Sequence, residues 1–133
     1  MPELRRVSIN NDLDIVAARV EGRNLARTMG FGVIDQARIA TAISELARNV
    51  VLYATRGQIT LTPVEKDGKH GLQIVCEDEG PGIEDVGMVM RDAYSSTQGL
   101  GMGLPGTRRL MDEFDIKSQV GLGTVVVACK WLH

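Results

Sequence analysis

Glu77-Asp78-Glu79-Gly80-Pro81-Gly82 opens, and Gly99-Leu100-Gly101-Met102-Gly103-Leu104 all but closes, the stretch on which this chain is organised, residues 77–106: EDEGPGIEDVGMVMRDAYSSTQGLGMGLPG. Between the two glycine clusters lies a hydroxyl-bearing segment, Tyr94-Ser95-Ser96-Thr97-Gln98. Glycines at this density let backbone N–H groups approach a ligand closely, because no Cβ stands in the way. Such N–H groups, followed by a helix N-terminus, suit a phosphate. The stretch reads as half of a nucleotide pocket, and the other half must come from elsewhere in the chain.

The 133 residues suffice for one domain, 1–133, with a core of helices on a sheet. Hydrophobic residues at 44% and charged residues at 24% are the balance of a soluble globular protein. A net charge of −2 argues against a general nucleic-acid surface, and 4% aromatics against base-stacking platforms. Cys76 and Cys129 are far apart, each inside an apolar run, and read as buried free thiols. His70 and His133 have no neighbours that would make a metal site. No apolar run approaches a bilayer span, and the N-terminus lacks the apolar core of a signal peptide. The expectation is a cytoplasmic protein with no nucleic-acid or membrane partner.

Outward from the central stretch, periodicity predicts the elements. Leu4 to Ile9 reads as a short strand, followed by a helix to about Met29 whose start Asn11, Asp12 or Asp14 can cap. Its apolar face is drawn from Ile15, Ala18, Val20, Gly22, Leu25, Ala26 and Met29, and Gly30 suits the left-handed end. From Val33 to about Ala54, Ile39, Ile43, Leu46, Val50 and Tyr53 recur at helical spacing as one buried stripe. Gln58–Glu65 and Leu72–Glu77 read as strands joined by an Asp67-Gly68 hairpin turn. A short helix is expected over 84–92 and another from about Gly103 to Phe114, with Pro105 in its first turn. Ile116–Val120, the turn Gly121-Leu122-Gly123, and Thr124–Leu132 make a closing hairpin. The order β-α-α-β-β-α-α-β-β predicts an α+β fold with helices on one face of a mostly antiparallel, mixed sheet.

Four groups of residues can carry chemistry. Glu45 and Asn49 are four apart on the long helix and share a face. Each lies about 100° round from the buried stripe, at the margin where a cleft would form. A carboxylate there can orient or deprotonate a hydroxyl, and an amide oxygen suits Mg²⁺; the pair also fits an ordinary solvated helix face. Asp78, ending an apolar strand, can accept from the exocyclic amine of adenine and so discriminate against guanine, and it also fits a simple turn. The Gly99–Gly103 cluster is G-x-G-x-G after a polar loop, which rules out a dinucleotide fingerprint. A phosphate-gripping lid and a plain flexible loop both remain. A lid over 88–103 is expected to be mobile without nucleotide. Thr124, after Gly121-Leu122-Gly123, can meet a base directly or through water, or can simply start a strand.

Taken together, Glu45-x-x-x-Asn49, Asp78-x-Gly80-x-Gly82, Gly99-x-Gly101-x-Gly103 and Gly121-x-Gly123-Thr124 resemble the ordered boxes of the GHKL superfamily. The resemblance covers about residues 36–125 and implies the Bergerat fold, a two-layer sandwich that binds ATP. Within the superfamily the chain resembles the small bacterial anti-sigma-type serine/threonine kinases, the switch kinases of stressosome modules among them. The stretches that carry this are DIVAAR, DQARI and TAISELARN, GPGI, GLGMGLPG with RRLMDEF, and the near-terminal KWL.

The resemblance implies roles residue by residue. Glu45 would be the general base and Asn49 the Mg²⁺ ligand. Asp78 would read adenine, with Gly80 and Gly82 shaping the pocket floor. Gly99, Gly101 and Gly103 would let a lid wrap the triphosphate, and Thr124 would support the adenine contact. ATP and Mg²⁺ are the implied cofactors. Because 133 residues leave no room for an acceptor domain, the acceptor serine or threonine is expected on a STAS-domain scaffold or antagonist protein. A downstream output protein would then be bound and activated. Two other readings share the pocket: an anti-sigma factor that sequesters a sigma factor, and a non-enzymatic, ATP-gated binding module.

Overall fold

The structure is a computed structural model that describes residues 3–82 and 104–132. The expected helix over 84–92, the lid and the Gly99–Gly103 cluster lie outside the described residues. Among the described residues eight elements are seen: β1 (Arg5–Ile9), α1 (Asp12–Met29), α2 (Val33–Tyr53), β2 (Arg56–Lys66), β3 (Lys69–Glu79), α3 (Leu104–Leu110), β4 (Glu113–Gln119) and β5 (Gly123–Trp131).

Local chemistry sets the helix ends. Asn11 caps α1: its side chain accepts from the Asp14 N–H at 3.2 Å, and the Asp14 carboxylate accepts from the Asn11 N–H at 3.3 Å. Gly30 closes the helix in the left-handed conformation, and Phe31 donates its N–H back to the Ala26 carbonyl. On α2, Ile39, Ile43, Leu46 and Val50 are buried as the stripe predicts. Gly22 of α1 lies where a Cβ would meet Ile43, so the two helices approach closely. Val20 does not belong to the core; it is 47% exposed. Five residues past Ile15, it sits about 140° round the helix, on the solvent side.

The sheet order is β1-β2-β3-β5-β4, and all four pairings are antiparallel, so the described sheet is not mixed. Asp67 and Gly68 both take positive φ, 53° and 79°, as a tight hairpin turn with right-handed strands requires. Pro63 lies two residues beyond the last partner of β1, where its missing N–H costs no ladder bond. Phe114, expected at a helix end, is in β4 opposite Ala128. The alternation from Glu113 to Gln119 has period two and favours a strand over one more helical turn. Asp112 makes the corner: its carboxylate accepts from the Trp131 N–H at 2.8 Å and pairs with the buried Lys130 at 3.4 Å.

The register arranges side chains in rungs that cross the sheet beneath the helices. One rung runs Leu61–Ile74–Ala128–Phe114 and the next Val7–Ile59–Cys76–Val126–Ile116. These apolar rungs and the α1 and α2 stripes form one hydrophobic cluster. The opposite face is only partly covered: Val75 and Val127 are half-buried, and Glu77 and Val125 are exposed. No helix among the described residues is long and apolar enough to cross a membrane.

Ile43 is fully buried where the two helices and the sheet meet. Ile43→Ala is expected to destabilise the protein by about 2–5 kcal/mol, read as a lower urea midpoint at an unchanged slope.

Candidate nucleotide site

The rung after Val7–Ile59–Cys76–Val126–Ile116 changes character. It reads Ile9–Gly57–Asp78–Thr124–Ser118, polar from β3 across to β4. Here the sheet stops being a hydrophobic floor and becomes a hydrogen-bonding one. Asp78 Oδ1 accepts from the Thr124 N–H at 3.1 Å, and Thr124 Oγ1 lies 2.8 Å from Ser118 Oγ.

Two glycines permit this junction. Gly123 has φ 137°, and a Cβ there would overlap the Asp78 carbonyl oxygen. Gly82 has φ 77°, and its Cβ would overlap the Gln119 carbonyl oxygen. Pro81 is tied to the same corner by the Gly121 N–H, which donates to its carbonyl at 2.8 Å. Gly80 packs against Ala54, where a Cβ would stand 2.9 Å from the alanine methyl. The loop after β3 thus folds over the β4–β5 turn on one side and the end of α2 on the other.

A concavity open to solvent lies above the polar rung. Asn49, Asp78 and Thr124 supply its polar groups. Leu46 from α2, Val126 from β5 and Leu104 from α3 supply apolar walls. Tyr53, Pro81 and Gly82 also line it. Apolar walls with the Asp78 acceptor among them suit a purine, which has apolar faces and a polar edge.

Of the residues singled out from the sequence, Asn49, Asp78, Gly82 and Thr124 come together in this concavity. Gly80 is next to it and shapes the loop. Glu45 does not line it; the side chain is half-buried one helical turn before Asn49 on the same face of α2. Gly99, Gly101 and Gly103 lie outside the described residues. Tyr53 was expected in the core stripe and is instead a half-buried lining residue. Ser118 went unnoticed, and only the strand order, with β5 between β3 and β4, could have revealed it.

Burial raises the Asp78 pKa, and the backbone N–H groups of Thr124 and Gly80, which favour the carboxylate, offset part of that rise. Cys76 is held as a neutral thiol by burial and makes a long contact to the Leu46 carbonyl at 3.9 Å. Cys129 is also buried and free. Among the described residues no group of three or more His, Cys, Asp or Glu could hold a metal ion. A single amide oxygen, from Asn49, fits a Mg²⁺ carried on a nucleotide's phosphates, because Mg²⁺ keeps several waters and takes few protein ligands.

Comparison with known proteins gives the class. The Histidine kinase-like ATPase domain family matches residues 10–130, and the chain belongs to that ATP-binding family. Among its relatives, the serine/threonine-protein kinase RsbT of Bacillus subtilis (strain 168) is 58% identical over 127 residues, covering 96% of each chain. An anti-sigma F factor of Caldanaerobacter subterraneus subsp. tengcongensis is 33% identical over 102 residues, covering 72% of this chain and 70% of its own. The catalytic domain of the histidine kinase ThkA, nucleotide-free, superposes with a TM-score of 0.53 over 95% of both chains at 19% identity, a likeness of fold.

A carboxyl whose folded pKa is raised binds its proton more readily in the fold than in the unfolded chain. Its contribution to stability is therefore greatest in acid and falls as pH rises through the raised value. An adenine contact made by this carboxylate would have the opposite sign, since only the ionised form is a pure acceptor. ATP affinity is expected to fall on acidification from above the ordinary aspartate range. Asp78→Asn should remove that pH dependence and weaken ATP about 10–100-fold, while the apo melting temperature at pH 7 rises. Calorimetric titration and thermal melts across pH check both signs.

Proposed function

We propose that this chain is a partner-switching protein serine/threonine kinase of a bacterial stress-response module. It moves the γ-phosphoryl group of ATP to a serine or threonine of a STAS-domain scaffold or antagonist protein. It then leaves that partner to bind and activate a downstream output protein. The kinase assignment rests on 58% identity to a serine/threonine-protein kinase over 96% of both chains. The observation that carries the site is Asn49 above the Asp78–Thr124 rung in one concavity. The proposed setting is the cytoplasm, where ATP is supplied.

Each residue has a task in this reading. Asp78 accepts from the adenine amine, and Leu46, Leu104 and Val126 cover the faces of the base. Gly80 and Gly82 shape the pocket floor, and Thr124 supports the base contact. Gly99, Gly101 and Gly103 offer backbone N–H groups to the triphosphate. Asn49 would hold Mg²⁺, which when bound neutralises charge on the phosphates. Glu45 takes the proton of the acceptor hydroxyl as its oxygen bonds to the γ-phosphorus. The bond from that phosphorus to the β–γ bridging oxygen breaks, and ADP leaves. Glu45 lies one turn from Asn49, outside the concavity lining, which suits a group that meets a protein acceptor arriving from outside.

The anti-sigma F factor relatives support a second reading, in which the chain sequesters a sigma factor. Both share the same pocket, so the partner decides between them.

With labelled ATP, Mg²⁺ and a STAS-domain partner, label is expected on a partner serine or threonine. Glu45→Ala should reduce transfer by about 10²-fold or more while ATP affinity is kept, and Asn49→Ala should lose Mg-ATP affinity as well. Label released only as free phosphate would remove the kinase reading. Partner exchange unaffected by Glu45→Ala would favour a nucleotide-gated binding module, and capture of a sigma factor in a pull-down would favour the anti-sigma reading.

A further inference from the structure

The polar rung does not end at Thr124. Ser118 of β4 stands directly opposite it in the ladder, on the side away from Asp78. Its hydroxyl oxygen lies 2.8 Å from Thr124 Oγ1, close to the optimum for two hydroxyls, and it also donates to the Gly123 carbonyl at 3.2 Å. Ser118 is half-buried and is not among the concavity's lining residues. Nothing in a nucleotide reading confined to the pocket wall requires a hydroxyl here.

A hydroxyl has one proton and two lone pairs. With the Ser118 proton directed to the Gly123 carbonyl, the bond between the two hydroxyls takes its proton from Thr124. The Thr124 oxygen then turns only lone pairs toward the concavity. Asp78, ionised, also presents only lone pairs. The end of the slot thus becomes a row of acceptors, which complements an exocyclic amine and repels a carbonyl oxygen at the same position. Without Ser118 the Thr124 rotor is released, and its proton can turn inward and donate to the oxygen of guanine.

We propose that Ser118 is a positioning residue that sets the direction of the Thr124 hydroxyl and so sharpens the choice of adenine over guanine nucleotides. The proposal rests on the reading of the concavity as the adenine site.

The test is a mutant cycle on the full chain, with ATP and GTP affinities measured for each variant. Ser118→Ala is expected to weaken ATP about 3–10-fold, the worth of one neutral hydrogen bond, and to narrow the ATP:GTP ratio. Ser118→Thr, which keeps the hydroxyl, should restore the ratio. Thr124→Val should narrow the ratio like Ser118→Ala, and the double variant should lose no more than Thr124→Val alone, since the two act as one unit. Equal weakening of both nucleotides by Ser118→Ala, additive losses in the double variant, or failure of Ser118→Thr to rescue the ratio would each overturn the proposal. Asp78→Asn separates the two levels of the argument. If it leaves ATP affinity untouched, the adenine site itself is misplaced; if it abolishes ATP preference while Ser118→Ala changes nothing, only the positioning role fails.

Discussion

The hydrogen bond from the Thr124 N–H to the Asp78 carboxylate is the constraint on which the site depends. It joins the end of β3 to the start of β5, strands whose residues here are 46 apart in the chain. The approach is so close that Gly123 has no room for a side chain. The same bond holds a charged carboxylate in a half-buried place, where burial alone would favour the neutral acid. Carboxylates perturbed in this way gather at binding sites more than in cores.

The rest of the architecture serves this junction. Two apolar rungs and the α1 and α2 stripes make one packed apolar layer, and the polar rung begins where that layer ends. Helix α2 extends over the boundary, so Leu46 belongs to both core and slot while Asn49 and Tyr53 belong to the slot. Leu104, at the first position of α3, closes the slot from the other side. Lys130 ties the corner after α3 to the start of α2 through Asp112 at 3.4 Å and Asp35 at 3.8 Å. The end of α3 beside the slot is thereby tied to the helix that carries Asn49.

Much of this was legible in the sequence, and the failures have physical causes. The α2 stripe, the Asn11 cap and the Asp67-Gly68 hairpin are local signals, read from neighbours within a few residues. Asp78 and Thr124 were legible as boxes of a resemblance, but their contact was not, because it is made by strand order. Ser118 was invisible for the same reason. Val20 was misplaced because a loose apolar list ignored its angle round the helix. Phe114 was misplaced because a helical pattern was carried past the point where alternation begins. Tyr53 marks the place where one stripe passes from core to site, a change that periodicity does not report.

The central claim is that the concavity over the polar rung seats adenine, with the phosphates running toward Asn49. The most direct measurement is a crystal structure of the chain with Mg²⁺ and a non-hydrolysable ATP analogue. The account predicts the exocyclic amine within hydrogen-bond distance of the Asp78 carboxylate, the base between Leu46 and Val126, and the metal on the Asn49 side-chain oxygen. A base bound elsewhere, with Asp78 facing only solvent, would contradict it.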